Sequence, residues 1–268
     1  MTKARFSIRT AVAEGFEFWR EHWRKAAGPL ALAGVGASLA SFNDPGLLMI
    51  GAGMEFVALI LAHAVYYRIA LADLGAESVS VNGPLGFQWA RLEGRLLAMN
   101  LLIALIYAVA IFICAFMVMV LLAGASQDTP LPEMQGMMTP QEVLVVLSPP
   151  QQAALLIGFV GTLIVLLLIW ARLSMAAPTT AATGTINVLG SVPLTRGSTF
   201  RLAGLWLVVR MPVFLLAMVA AQFGLLVGDP VLGVVATLLV GLIGVFFVQP
   251  ILVGALAYAY RQLSRTVA

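Results

Sequence analysis

The sequence predicts an all-α integral membrane protein, with six transmembrane helices behind an N-terminal interfacial amphipathic helix and both termini in the cytoplasm. Three observations predict it. Of 268 residues, 61% are hydrophobic and only 10% are charged, against about 25% charged in an ordinary soluble domain. Mean hydropathy is +1.00, and a soluble fold of this size has no interior large enough to hide so much apolar surface. Six apolar runs punctuate the chain, and the basic residues gather on alternate connections between them.

The first element occupies residues 1–25. It is not a secretory leader, because Glu14, Glu17 and Glu21 stand where such a segment is short and basic. A small-residue pattern of the kind at which leaders are cut does occur later, at Ala37-Ser38-Leu39-Ala40. Ser7 can cap a helix in which Ile8, Val12, Phe16, Trp19 and Trp23 recur every three or four residues. Arg9, Glu17, Arg20, Glu21 and Arg24 take the opposite side. Aromatic residues Phe16, Trp19 and Trp23 between basic flanks suit a helix anchored in the headgroup region. Packing on the protein's own cytoplasmic loops is the other reading.

Residues 26–268 form the predicted bundle, with spans at about 27–42, 47–71, 96–124, 153–170, 203–227 and 231–260. A span needs about 20 apolar residues, so the first is short, although Trp23 and Lys25 flank it as an interface anchor would. The third and sixth are long enough to tilt.

Fourteen of the 15 basic residues fall on one side. The N-terminal segment has Lys3, Arg5, Arg9, Arg20, Arg24 and Lys25. The second connection has Arg68, Arg91 and Arg95, the fourth Arg172, Arg196 and Arg201, and the tail Arg261 and Arg265. The first, third and fifth connections carry no Lys or Arg, only acids such as Asp44, Asp128, Glu133, Glu142 and Asp229. The positive-inside rule then places both termini in the cytoplasm. Asn43-Asp44-Pro45-Gly46 and Gly228-Asp229-Pro230 are turn sequences. In the third connection Thr139-Pro140-Gln141-Glu142 has capping-box spacing ahead of Val143–Leu147, which predicts a short surface helix. Arginine brackets two connections at similar spacing, Arg68 to Arg95 and Arg172 to Arg201. This is either a duplicated hairpin or the orientation rule appearing twice.

Chemistry is sparse. Cys114 is the sole cysteine, so no intrachain disulfide forms. His22 and His63 lie 41 residues apart and make no zinc cluster. There is no G-x-S-x-G, H-E-x-x-H or P-loop. The reading is therefore non-enzymatic, with no metal and no cofactor. The scattered basic residues serve orientation, not nucleic acid.

Charges inside spans are costly and usually functional. Glu55 lies 13 residues before Arg68, about 20 Å from the inner end of its span, and Arg210 lies nine residues past Arg201, about 13 Å up span five. Long arginine side chains close such gaps, so a Glu55–Arg210 ion pair is expected, either ordering the bundle or serving transport. His63, two turns from Glu55, adds either a proton path or an ordinary interface histidine. Pro212 and Pro250 interrupt spans five and six. Gly34 with Ser38, Gly158 with Thr162, and Gly233, Gly241 and Gly244 offer close helix approach.

From Val143 to Gly228 the chain has no Asp or Glu. The Arg172–Arg201 connection is thus purely cationic, and Arg172, Arg196 and Arg201 are headgroup candidates. Within it, Arg172-Leu-Ser-Met-Ala-Ala-Pro178, Ser191-Val-Pro-Leu-Thr-Arg-Gly197 and Phe200-Arg201-Leu202 resemble the six-helix membrane domain of bacterial glycerophosphodiester phosphodiesterases and its uncharacterised stand-alone relatives. Those also open with a Trp-containing helix, as Phe16–Trp23 does here. Thr179, Thr180 and Thr183 stand where the family often has an acid. No soluble segment is long enough for the phosphodiesterase barrel of about 250 residues. The resemblance implies fold and inner-membrane location and carries no catalytic residues. The function expected is a non-enzymatic bacterial inner-membrane protein that engages membrane lipids or organises partners, either a second copy of the chain or an envelope protein. A small-solute or proton-coupled transporter using Glu55, His63 and Arg210 is the alternative.

Overall fold

The structure is a computed structural model describing residues 6–40, 44–74, 84–126, 147–227 and 230–265. Every regular element among these residues is helical. The helices are α1 (Ile8–His22), α2 (Ala27–Ala40), α3 (Pro45–Ala70), α4 (Arg91–Ala125), α5 (Pro149–Leu173), α6 (Ala176–Thr183), α7 (Ser191–Leu194), α8 (Thr199–Val227), α9 (Pro230–Ile243) and α10 (Gln249–Ser264). Short 3-10 turns occupy Trp23–Ala26, Ala72–Leu74 and Pro84–Gly86, and a π-helical turn occupies Gly244–Val248.

Five helical stretches are long and apolar enough to cross a membrane: Pro45–Ala70, Arg91–Ala125, Pro149–Thr183, Thr199–Ala220 and Leu238–Ser264. The first span expected from the sequence is α2, whose 14 residues rise about 21 Å, less than the hydrocarbon core of about 30 Å. The other boundaries move outward for local reasons. Asp44 caps α3, accepting the Leu47 N–H at 2.8 Å, so the helix begins at Pro45. α4 begins five residues before its expected start because Glu93, in its first turn, is completely buried. Part of the expected cationic connection is helix α6, which ends where Gly184 adopts a left-handed φ of 65°. Asn43, Asp128, Glu133, the Thr139–Glu142 capping box, Val143–Val146 and the Gly228-Asp229 turn lie outside the described residues.

The chain divides into two compact units, residues 1–101 with 171–268, and residues 102–170. In the first unit α10 is the core. Ile251, Val253, Ala255, Ala257 and Ala259 are buried along it, and α1, α3 and α6 pack around it. α2 lies against α3, and α8 against α9. α1 docks by its small residues, because Ala11 and Gly15 are its buried positions, while Phe16, central to the stripe read from sequence, is 52% exposed. The stripe marks the most apolar side of the helix, and the packed side is the one that lets backbones approach.

A hydrogen bond fixes that docking. Pro250 has no N–H to donate to the Phe246 carbonyl four residues earlier. The chain widens there into the Gly244–Val248 π turn, and the Trp19 indole N–H donates to the Phe246 oxygen at 3.0 Å. Trp19 also stacks on Phe247, ring centroids 4.7 Å apart. Replacing Trp19 with Phe keeps most of the ring and removes the donor, leaving a half-buried carbonyl unpaired. We expect a loss of about 1–3 kcal/mol, read as a lowered midpoint of detergent-phase unfolding. An unchanged midpoint would mean that water replaces the indole.

In the second unit the remainder of α4 and most of α5 pair as a hairpin. A Cβ on Gly158 would meet the Val118 side chain at 2.7 Å, so glycine there makes room for that side chain between the two helices. Tyr107 donates to the Leu166 carbonyl at 3.4 Å, and the Gln151 amide donates to the Ser126 hydroxyl at 3.0 Å. Phe112, Phe116, Met119, Ile157 and Phe159 are exposed, the arrangement of a surface solvated by lipid.

Candidate functional site

The structure places three of the residues singled out by sequence in one region of the first unit. Glu55 and His63 stand on α3 two turns apart, and Arg210 stands on α8. Arg210 interacts electrostatically with both. No hydrogen bond or ion pair joins Glu55 to Arg210 within 4 Å, so the expected direct pair is instead a longer-range approach. The Arg210 guanidinium lies over the Trp206 ring, 5.8 Å from its centroid, and its Nε is buried without a partner.

A fourth member, Gln249, was not anticipated. Its side-chain oxygen lies 3.2 Å from His63 Nε2. An amide oxygen only accepts, so Nε2 is the donor in this contact. Gln249 opens α10 directly before Pro250. An amide beside a span-breaking proline was the available signal, and weighing only charged residues missed it. Tyr67 meets the His63 ring edge-on at 6.4 Å.

A second buried polar group was also missed. Arg68, at the end of α3, grips Glu93, at the start of α4, through two hydrogen bonds of 2.5 and 2.7 Å. Their side chains are 2% and 0% exposed. Glu93 also accepts the Ala90 N–H at 2.9 Å, satisfying a donor that the helix start leaves free. Nearby, Arg261 on α10 donates to the Ala70 carbonyl at 2.7 Å and to Asp73 at 2.6 Å.

The headgroup candidates separate. Arg201 donates to the Phe6 carbonyl at 3.1 Å and so ties α8 to the start of α1. Arg172 is half-buried, and its carbonyl accepts the Ser191 hydroxyl at 3.2 Å. Arg196 is exposed. Of the three aromatic anchors, Trp19 is turned onto the π turn and Phe16 is exposed. Trp23 is half-buried beneath the Arg24 guanidinium, 5.4 Å from the ring centroid, and its carbonyl accepts the Tyr66 hydroxyl at 3.1 Å.

The Pro84–Gly86 turn packs on the Trp23–Ala26 turn. At Gly86, where φ is 86°, a Cβ would meet the Lys25 backbone, so only glycine lets the two turns close. Leu85 and Trp89 remain 71% and 58% exposed beside exposed Arg24, Lys25 and Arg91. Among the described residues no group of three or more His, Cys, Asp or Glu is placed to hold a metal ion. Comparison with family models, with curated proteins and with solved structures finds no match for this chain.

Proposed function

We propose that this is a non-enzymatic, multi-pass protein of the bacterial inner membrane whose cytoplasmic end engages anionic lipid headgroups. The observation that carries the reading is the exposed Leu85 and Trp89 set among exposed Arg24, Lys25 and Arg91. Large apolar side chains ringed by bases are what a headgroup layer accommodates. Exposed Leu189 and Phe200 flank exposed Arg196 in the same manner on the Arg172–Arg201 segment.

The proposal includes six spans with both termini cytoplasmic. The Trp23–Ala26 turn continues directly into α2. The rise of α2, about 21 Å, falls short of the core thickness of about 30 Å, a mismatch that local thinning and snorkelling of the flanking Arg24 and Lys25 absorb. The absence of Lys and Arg from the alternate connections supports the orientation. The likeness to the phosphodiesterase membrane domain belongs to the same proposal and adds no chemistry to it.

Native mass spectrometry from nanodiscs of phosphatidylglycerol and of phosphatidylcholine tests the lipid reading. Each surface base contributes about 1 kcal/mol, so replacing Arg24, Lys25 and Arg91 together by Gln removes about 3 kcal/mol. Retained phosphatidylglycerol should weaken about a hundredfold, with phosphatidylcholine unchanged. Equal retention of both lipids by the wild-type protein would overturn it.

A further inference from the structure

Beyond surface lipid contact, we propose that Arg210 is the anchor of an intramembrane site for a monoanionic oxyanion, a carboxylate or phosphate, whose binding is coupled to proton uptake by Glu55. The site stands apart from the basic collar at the Trp23–Ala26 turn. It uses residues that the lipid reading leaves idle.

The argument starts from unmet valence. Arg68, Arg201 and Arg261 each have oxygen acceptors from the protein. Arg210, about 13 Å further along α8 than Arg201, has none among the described residues. A span tolerates a guanidinium when it has a counter-group or a ligand. Trp206 offers the guanidinium a ring, 5.8 Å away at its centroid, and no oxygen acceptor, so the planar fork that matches two oxygens of a carboxylate or phosphate stays unmatched. The neighbouring groups do not compete for that fork. The His63 Nε2–H is engaged by Gln249, and Glu55 balances the charge from a distance without bonding to it.

The coupling follows from charge. With the site empty, Arg210 offsets Glu55. An oxyanion bound to Arg210 takes over that compensation and adds a second negative charge near Glu55. The carboxylate then takes a proton from the aqueous phase, and one anion and one proton are held together. The other titratable group nearby is His63, whose Nε2–H is held by Gln249, and Glu55→Gln tells the two apart. α2, which packs on α3 around Glu55, carries no titratable side chain. Of the elements packed on α3, α10 brings Gln249 to His63 and carries Tyr258, Tyr260 and Arg261 further on, α6 brings only Thr and Ala side chains with Pro178, and the Trp23–Ala26 and Ala72–Leu74 turns bring Arg24, Lys25 and Asp73 to its C-terminal end. Arg210 acts on Glu55 and His63 electrostatically from α8.

The test uses the full chain in phosphatidylcholine nanodiscs with sodium acetate and inorganic phosphate as probes. Acetate should raise the unfolding temperature of the wild-type protein with saturation, and weakly buffered solution should turn alkaline on binding, by close to one proton per site. Arg210→Gln should lose acetate and phosphate binding. Arg210→Lys, which keeps the charge and protects the fold, should weaken binding at least about tenfold for want of the planar fork. Glu55→Gln should still bind acetate but take up no proton. Phosphatidylglycerol retained in an Arg210-dependent way, with neither free anion binding, would assign the oxyanion to a lipid headgroup. Binding by Arg210→Gln equal to wild type, undiminished proton uptake in Glu55→Gln, or no binding of any of the three probes would each overturn the proposal.

Discussion

Replacing Glu93 with Gln destabilises the protein by about 3–5 kcal/mol, the range for removing one partner of a fully buried ion pair. The side chain keeps its shape, and its oxygen can still accept the Ala90 N–H. What is lost is the countercharge to Arg68, whose side chain is 2% exposed and has no water to turn to. The Arg68 Nε already lacks a partner, so nothing else close by absorbs the charge. Glu93→Ala should cost more still, because the acceptor for Ala90 goes too. The double variant Arg68→Met with Glu93→Leu separates pairing from packing. Apolar replacement of a buried pair is often neutral or stabilising by about 1–4 kcal/mol, so the double variant should recover most of the loss. Unfolding in mixed micelles of SDS and a mild detergent reads all four proteins. A Glu93→Gln loss below about 1 kcal/mol would show that water reaches Arg68. A double variant as weak as the single would show that this pair is required for more than charge balance.

Much of the span pattern was legible because a lipid core imposes a length that a sequence must meet. Pro45–Ala70, Arg91–Ala125 and Thr199–Ala220 are where apolar runs of that length stand. The polar interior was only half legible. Glu55, His63 and Arg210 announced themselves as charges in apolar surroundings. Arg68 and Glu93 did not, because each sits at a helix end where orientation alone accounts for a charge, and the 25 residues between them conceal that the ends meet. Gln249 escaped because an uncharged amide barely registers in hydropathy, although at depth it still needs a partner. The docking side of α1 went unread for a related reason. Apolar periodicity ranks Phe16 above Gly15, yet helices in a lipid setting gain contact by closeness, which favours the smaller residue.

That last point carries the sharpest test. Gly254→Ala in α10 should destabilise the protein, against the propensity of alanine, which by itself favours a helix by about 1 kcal/mol over glycine. A Cβ on Gly254 would lie 2.8 Å from Phe18 Cβ and 3.1 Å from the Gly15 Cα. On the facing helix, a Cβ on Gly15 would press on the Ile251 carbonyl oxygen and lie 3.3 Å from Ala255 Cβ. Backbone and Cβ atoms cannot rotate away, so the two helices must separate. Overpacking of this kind costs about 1–3 kcal/mol, and separation also draws Trp19 off the Phe246 oxygen. Gly161→Ala is the matched control, since a Cβ there meets nothing within 4 Å. It should be neutral or stabilising by up to about 1 kcal/mol. Hydrogen exchange of the α1 amides locates the effect. Gly254→Ala should speed exchange across Ile8–His22, while Gly161→Ala leaves it unchanged. If both substitutions stabilise, α1 is held by its aromatic side chains and not by the glycine contact. If Gly254→Ala destabilises without loosening α1, the strain is taken up within α10, beside its π turn.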